Sequence, residues 1–480
     1  MNFMTQTKLE PSYEIKPNGN ISFPIGTILS VQNCYKKLEF IKVFSRYKKK
    51  GRDINSLIQS LVSYKLTDNF SISRGSKWIN KKEVLNIFQL KEFEERTLFR
   101  VLEILGINKD EILANMQDCI FDKYEFPHTN VNLDWTSIVL FGEKCNLGKY
   151  GYSRDHRPDK KQLTLGLAEL ASPINIPIGM TINAGNKSDM KHFQETYGQI
   201  KRKLKENSMV IIDKGANSEE NINLVLRDKM KYLTLKKLNK SDDKRIKNFD
   251  KKEAKLIDEE RKVYGIKFTK PSRFDYFYFS ESLKQDQLIF KIRKAKRKFE
   301  EAKEIQKCID EGKELPVKYR INNALIDIKY SYQTKLSRLC EKDALELIEK
   351  ATINGREGFF CIISNENLTL EEALATYRKK DSIEKVFNSL KNEIEIKPVR
   401  VWTENSIYGA LIIGFLAQLF VSLMRYDYKE LKQISTKFIK KSLMNLTVTI
   451  IYEKNLTKRY VYSNFDAINR MVITKKQTDT

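Results

Sequence analysis

Histidine and cysteine are scarce in this 480-residue chain, with three of the first and six of the second. The histidines (His128, His156, His192) are too few to build a histidine-based metal centre. The cysteines (Cys34, Cys119, Cys145, Cys308, Cys340, Cys361) are scattered and include no C-x-x-C pair. That argues against a zinc site and a disulfide framework, and suits a reducing cytoplasm. The opening residues MNFMTQTKLEPSYEI lack the basic-then-apolar pattern of a secretory leader. Long uncharged runs are also rare. One, Asn405 to Met424, covers 20 residues, enough to span a bilayer. It contains Asn405, Ser406, Gln418 and Ser422 and has no counterpart elsewhere, so a buried core helix and no membrane contact are expected.

Positive charge is what the chain has in excess. Lysine and arginine number 87 against 62 acidic residues, a net charge of +25. Neutralising phosphates releases counterions and steers association, so a polyanionic partner is expected. A Lys-rich composition inherited from an AT-rich genome is the alternative on charge alone. The length suits about three domains.

Residues 1–127 read as a helical N-terminal DNA-binding domain. Apolar positions recur at helical spacing in Ile54-Leu57-Ile58-Leu61-Val62 and in Leu98-Val101-Leu102-Leu105. Gly106 is expected to cap the second helix, and Asn80 to open a helix at KKEVLNIF. With the basic run Lys48-Lys49-Lys50-Gly51-Arg52, these helices form either a helix-turn-helix-like reader or a plain bundle with a solvated loop. From residue 128 the pattern turns to strands: LDWTSIVLF, QLTLGLAEL, IPIGMTINAG and MVIID. A helix starting at Ser188 or Asp189 lies between the last two. This predicts an α/β core with a mixed sheet and helices on its faces over 128–220. Residues 221–355 interrupt it as a β-containing insertion that includes the basic helical stretch around Lys291, Arg293, Lys294, Lys296, Arg297 and Lys298. The core resumes over 356–450, and 451–480 reads as a tail.

Three acidic residues sit where chemistry could use them: Asp134 within LDWTSIVLF, Asp213 at the end of MVIID, and Glu384 within YRKKDSIEKVFNSLK. Hard cations such as Mg²⁺ prefer oxygen ligands and complete their shell with water and phosphate. Two such ions roughly 3.5–4 Å apart can clamp the attacking and leaving oxygens of an in-line displacement. An aspartate ending a strand is also a common turn former, so position alone decides nothing.

The run Tyr377–Lys391 resembles the signature of insertion-sequence DDE transposases: Tyr, two residues, Arg, three, Glu, six, Lys. Tyr377, Lys380, Glu384 and Lys391 fill the four places, with Lys380 where arginine is usual. The lysine keeps the charge and loses the planar fork. KYGYSRDHRPDKKQ (149–162), NAGNKSD (183–189), VIIDKGANSEENI (210–222) and PVRVWTENSIYGALIIGFLAQLF (398–420) are similar to stretches found in the same order in such transposases. The resemblance covers roughly 60–430. It implies a ribonuclease-H-like core and prokaryotic, nucleoid-associated action in the cytoplasm on terminal inverted repeats and target DNA. It also implies two Mg²⁺ ions, with Mn²⁺ able to substitute, and a homodimer pairing two ends.

Carried over, Asp134, Asp213 and Glu384 are the catalytic carboxylates and metal ligands. Their spacings are 213 − 134 = 79 and 384 − 213 = 171 residues, the second long enough for the insertion. Spacings of 3, 4 and 7 would put Tyr377, Lys380, Glu384 and Lys391 on one face of one helix, the two lysines meeting phosphate beside the glutamate. Arg154, His156 and Arg157 are expected to contact DNA or to stabilise their turn. Trp402 either stacks on an unpaired base or fills the core. The expected reaction is metal-dependent strand cleavage followed by strand transfer. A nuclease of the same fold, or an inactive DNA-binding repressor derived from an element, are the alternatives.

Overall fold

The computed structural model describes residues 21–47, 50–67, 71–141, 145–155, 157, 159–314, 337–397, 399, 401–452 and 458–474. Lys48, Lys49 and His156, named above, lie outside them. The chain divides into two units, Met1–Lys231 with Arg378–Thr480, and Tyr232–Tyr377. In chain order the strands are β1 (Ile21–Pro24), β2 (Val131–Val139), β3 (Gln162–Leu170), β4 (Ile176–Ala184), β5 (Met209–Ile212), β6 (Lys231–Lys236), β7 (Lys255–Asp258), β8 (Val263–Lys270), β9 (Arg273–Ser280), β10 (Phe359–Ser364), β11 (Thr447–Tyr452) and β12 (Lys458–Ser463).

In the first unit β2, β3 and β4 form an antiparallel meander, and β5 joins β2 in parallel, giving the order β4-β3-β2-β5. This is the mixed sheet expected of a ribonuclease-H-like core. Strand β2 is buried at every position except Asp134, so it reads as one apolar run rather than an alternation. The cause is cover on both faces. Successive side chains of a strand point to opposite sides. Trp135 packs on the Asp189–Ile200 helix, donating its indole N–H to Thr196 Oγ1 at 3.1 Å, while Asp134 faces the segment that leads into the Asp381–Asn388 helix.

The uncharged run forms the Glu404–Asp427 helix, whose Thr403 cap accepts from the Ser406 N–H. It is long and apolar enough to cross a membrane, and 89% of its most apolar window is buried inside the protein. It packs on β4 and on the N-terminal helices Ile54–Thr67 and Arg96–Ile107. Those helices therefore share a core with the sheet and do not stand as a separate bundle. Gly106 lies within the last turn of Arg96–Ile107 and is not its cap. A Cβ there would stand 2.0 Å from Asn405 O, and one on Gly409 would stand 2.1 Å from Leu102 O, so both glycines serve close helix packing. Asn80 does not open a helix either. It ends Ile72–Ile79, and its side chain brackets Phe93, donating to the backbone O at 2.8 Å and accepting from the N–H at 3.0 Å. The segment read as a tail carries β12 and the Ala467–Thr474 helix, and β12 completes the antiparallel sheet β1-β11-β12.

The second unit is an antiparallel sheet in the order β6-β10-β9-β8-β7. Strand β10, formed within EGFFCIIS, pairs with β6 and β9 in this unit. After β9, Ser280 caps the Glu281–Asp310 helix by accepting from the Leu283 N–H. That helix packs on Glu341–Thr352 through Ala295, Phe299, Ala302, Ala344 and Ile348; Arg293, Lys294, Lys296 and Arg297 are exposed, whereas Lys291 donates to Thr352 O at 2.6 Å and pairs with buried Glu357.

Candidate active site

Strand register brings the two aspartates together. The last paired rung between β2 and β5 is Leu133 with Ile212, so Asp134 and Asp213 are the next residues on neighbouring parallel strands. Asp134 is held tightly. Its Oδ1 accepts from the Trp135 N–H at 2.9 Å, and Lys380 Nζ stands 3.3 Å from its Oδ2. Glu384 lies one turn beyond Lys380 on the Asp381–Asn388 helix, exposed at its surface.

The three carboxylates feel one another. Burial pushes the Asp134 carboxyl above the usual range; Lys380, Trp135 N–H and Arg154 oppose this, and Asp213 adds to it. Glu384 is raised as well, first by burial and then by Asp134, Asp381 and Asp213, against Lys380. The site is thus short of positive charge, with Lys380 the cation that both carboxyls share. As the side chains stand, no three His, Cys, Asp or Glu groups among the described residues enclose a metal position. The donor set itself suits a hard divalent ion: all oxygen, with two of the three carboxylates at adjoining strand positions.

The signature does not lie on one helix. Tyr377 is near the end of the Leu370–Arg378 helix, Lys380 falls in the break that follows, and Glu384 lies in the next helix. Lys391 sits in the π-helical turn Ser389–Glu393. Wide turns of that kind re-aim side chains and recur at functional sites. Here the turn carries Lys391 away from Glu384 to Asp155, at 3.1 Å. Lys391 is 8% exposed, and burial lowers its ammonium pKa, an effect Asp155 opposes. Lys397 Nζ also reaches Asp155, at 3.3 Å.

The other expected contacts separate by exposure. Arg154 pairs with Asp189 at 2.6 Å, and its backbone N–H donates to Ser137 Oγ on β2 at 2.8 Å. It is a built part of the site's wall. Arg157 pairs with Asp159 at 2.8 Å on the surface. Trp402 is 61% exposed, which removes the core alternative. Motifs distant in sequence meet here. Arg154 of the YSRD stretch holds Asp189 of NAGNKSD, and a Cβ on Gly151 would stand 2.0 Å from Gly185 O. Two residues escaped the sequence reading. Asp155, inside a quoted motif, looked like part of a basic turn. Glu169 looked like a strand residue, although a lone carboxylate in QLTLGLAEL was a visible signal.

The mixed sheet thus carries Asp134 and Asp213 at adjoining positions, and Glu384 follows on a helix later in the chain. The chain belongs to the transposase DDE domain family, whose model matches residues 126–420, more than half its length, and it is a DNA transposase. That span contains Asp134, Asp213 and Glu384. No curated protein matches the chain. One similar solved structure is a cryo-EM structure of the piggyBac transposase synaptic complex with hairpin DNA. It is 10% identical, with 88% of this chain and 82% of that chain covered and a TM-score of 0.46.

Proposed function

We propose that the protein cuts DNA at the ends of a mobile element and joins those ends to target DNA. Asp134, Asp213 and Glu384 are the catalytic carboxylates in this reading, and they would hold two divalent ions, Mg²⁺ or Mn²⁺. Ions bound there supply charge neutralisation at the scissile phosphate and lower the pKa of a bound water. Lys380 restrains Asp134 before DNA arrives and turns to a phosphate oxygen when the carboxylates are otherwise satisfied. Lys391 and Lys397, gathered by Asp155, hold the strand beside the cut, and exposed Trp402 and Arg157 extend that contact, with Tyr377 completing the signature. Water attacks the phosphodiester and releases a 3′-hydroxyl, and that hydroxyl then attacks a target phosphodiester in a second in-line displacement. Both steps rest on positioning and electrostatics rather than a covalent protein intermediate. Double-stranded DNA is the partner, and a dimer pairs two ends.

The observation that supports this most is that burial and neighbouring carboxylates push both Asp134 and Glu384 upward, against Lys380, with Asp213 at the adjoining strand position. Incubation with end-bearing DNA, a target plasmid and Mg²⁺ should give joined products. Products cut but never joined would mean a nuclease. Unchanged cleavage by Asp134→Asn, Asp213→Asn and Glu384→Gln would overturn the site.

A further inference from the structure

Glu169 lies in β3 directly opposite Asn132 of β2 and is fully buried. Among the described residues no cation pairs with it. Its Oε2 accepts from Ser382 Oγ at 2.6 Å and from Asn132 Nδ2 at 3.2 Å, while Oε1 is buried with no partner among those residues. Asn132 Nδ2 also stands 3.2 Å from Ser382 Oγ, so the three side chains close on one another. Burial pushes the Glu169 carboxyl up to about 7. A carboxyl so placed costs stability that an apolar residue would not, and such residues are kept where they serve a site.

The position of the cluster says what it serves. Asn132 stands two residues before Asp134, on the same face of β2, and Ser382 stands two residues before Glu384. The Asp381–Asn388 helix buries Ile383, Val386 and Phe387, and Ser382 adds a polar tie to β2 at its N-terminal end, where a break in the helix precedes it at Lys379–Lys380. We propose that Glu169 is a positioning residue: by clamping Ser382 to Asn132 it sets the rotation of the Glu384 helix against β2, so that the third carboxylate faces the first. The inference rests on the assignment of Asp134 and Glu384 as metal ligands. A carboxylate linking 169 to 382 ties together parts of the chain 213 residues apart.

Terbium is a probe that needs no turnover, since a bound ion beside Asp134 is sensitised by the adjoining Trp135. Ser382→Ala and Glu169→Ala should keep the circular dichroism of the parent and weaken terbium binding at least tenfold, with end cleavage falling in parallel. Glu169→Gln, which retains an oxygen to accept from Ser382, should recover affinity to within about threefold of the parent. Parental terbium affinity in both alanine variants, alongside its loss in Asp134→Asn, would overturn the clamp and leave the site standing. In that outcome Glu169 serves the cavity of about 480 Å³ that it lines. Terbium binding indifferent to Asp134→Asn and Glu384→Gln would overturn the site, and the clamp with it. If Glu169→Ala does not fold, Ser382→Ala and Glu169→Gln carry the same decision.

Discussion

Two aspartates on sheet strands, Asp134 in the first unit and Asp275 in the second, have opposite electrostatic settings. Burial presses upward on both carboxyls. Around Asp275 the pressure is overcome: Arg245, Lys270 and Arg273 each stand 2.9 Å from it, and its pKa lies below the usual range. Around Asp134 it is not. Lys380 stands 3.3 Å away, Asp213 adds like charge, and the pKa is raised. A buried ion pair with a full complement of partners is finished and structural. A buried carboxylate left short of charge among other carboxylates is prepared for a ligand. Neither environment can be read from the aspartate alone.

The comparison breaks first on function. Asp134→Asn and Glu384→Gln should each reduce strand cleavage by on the order of 10³-fold or more, with the thermal midpoint unchanged or raised because repulsion is relieved. A gel-based cleavage assay beside a melting curve reads both. Asp275→Ala should do the reverse, leaving three cations around a vacated buried site and costing about 3–5 kcal/mol of stability in denaturant unfolding. Cleavage lost without stability in the first case, and stability lost in the second, is the signature of the contrast.

Glu169 gives a third, unpaired setting. Its folded carboxyl titrates near about 7 against a usual value of 4.5. The folded state therefore binds the proton more tightly, and the associated stability is present below about pH 4.5 and lost as pH rises through about 7. A shift of that size corresponds to roughly 3 kcal/mol. Glu169→Gln should flatten this part of the stability–pH curve, measured by urea unfolding between pH 5 and pH 8. A parallel curve in the variant would mean that Glu169 is not held neutral.

Magnesium sharpens the comparison further. At about a hundred times its dissociation constant it should stabilise the parent by roughly 2.7 kcal/mol and Asp134→Asn hardly at all, as read by thermal shift. Asp275→Ala should respond like the parent. The smallest effect is expected from Arg157→Ala, which breaks an exposed pair with Asp159. Its stability should not change, and its DNA affinity should lose about one unit from the salt-dependence slope, measured by fluorescence anisotropy across salt concentrations.

The strands and helices of the core were legible because their apolar periodicity is strong. LDWTSIVLF became β2 and the uncharged run became a buried helix. The order of the motifs singled out three carboxylate positions, and strand register brings two of them to adjoining positions. The wiring of the site was not legible. The signature spacing suggests one helix face, but a turn that interrupts the helix at Lys379–Lys380 and a π-helical turn at Ser389–Glu393 override the simple period. Asn80 and Gly106 looked like helix punctuation, yet one brackets Phe93 and the other makes room for Asn405. Local rules describe a residue's neighbours along the chain, whereas these roles come from partners hundreds of residues away or on another element.

By itself the sequence determined the family and the strongly basic character and singled out three acidic residues, because motif order and composition survive without coordinates. Only the tertiary structure decided that Lys380 guards Asp134, that Lys391 turns to Asp155, and that Glu169 joins β2 to the helix of Glu384. The physical reason is that charge balance and burial are set by what folding brings within a few ångströms.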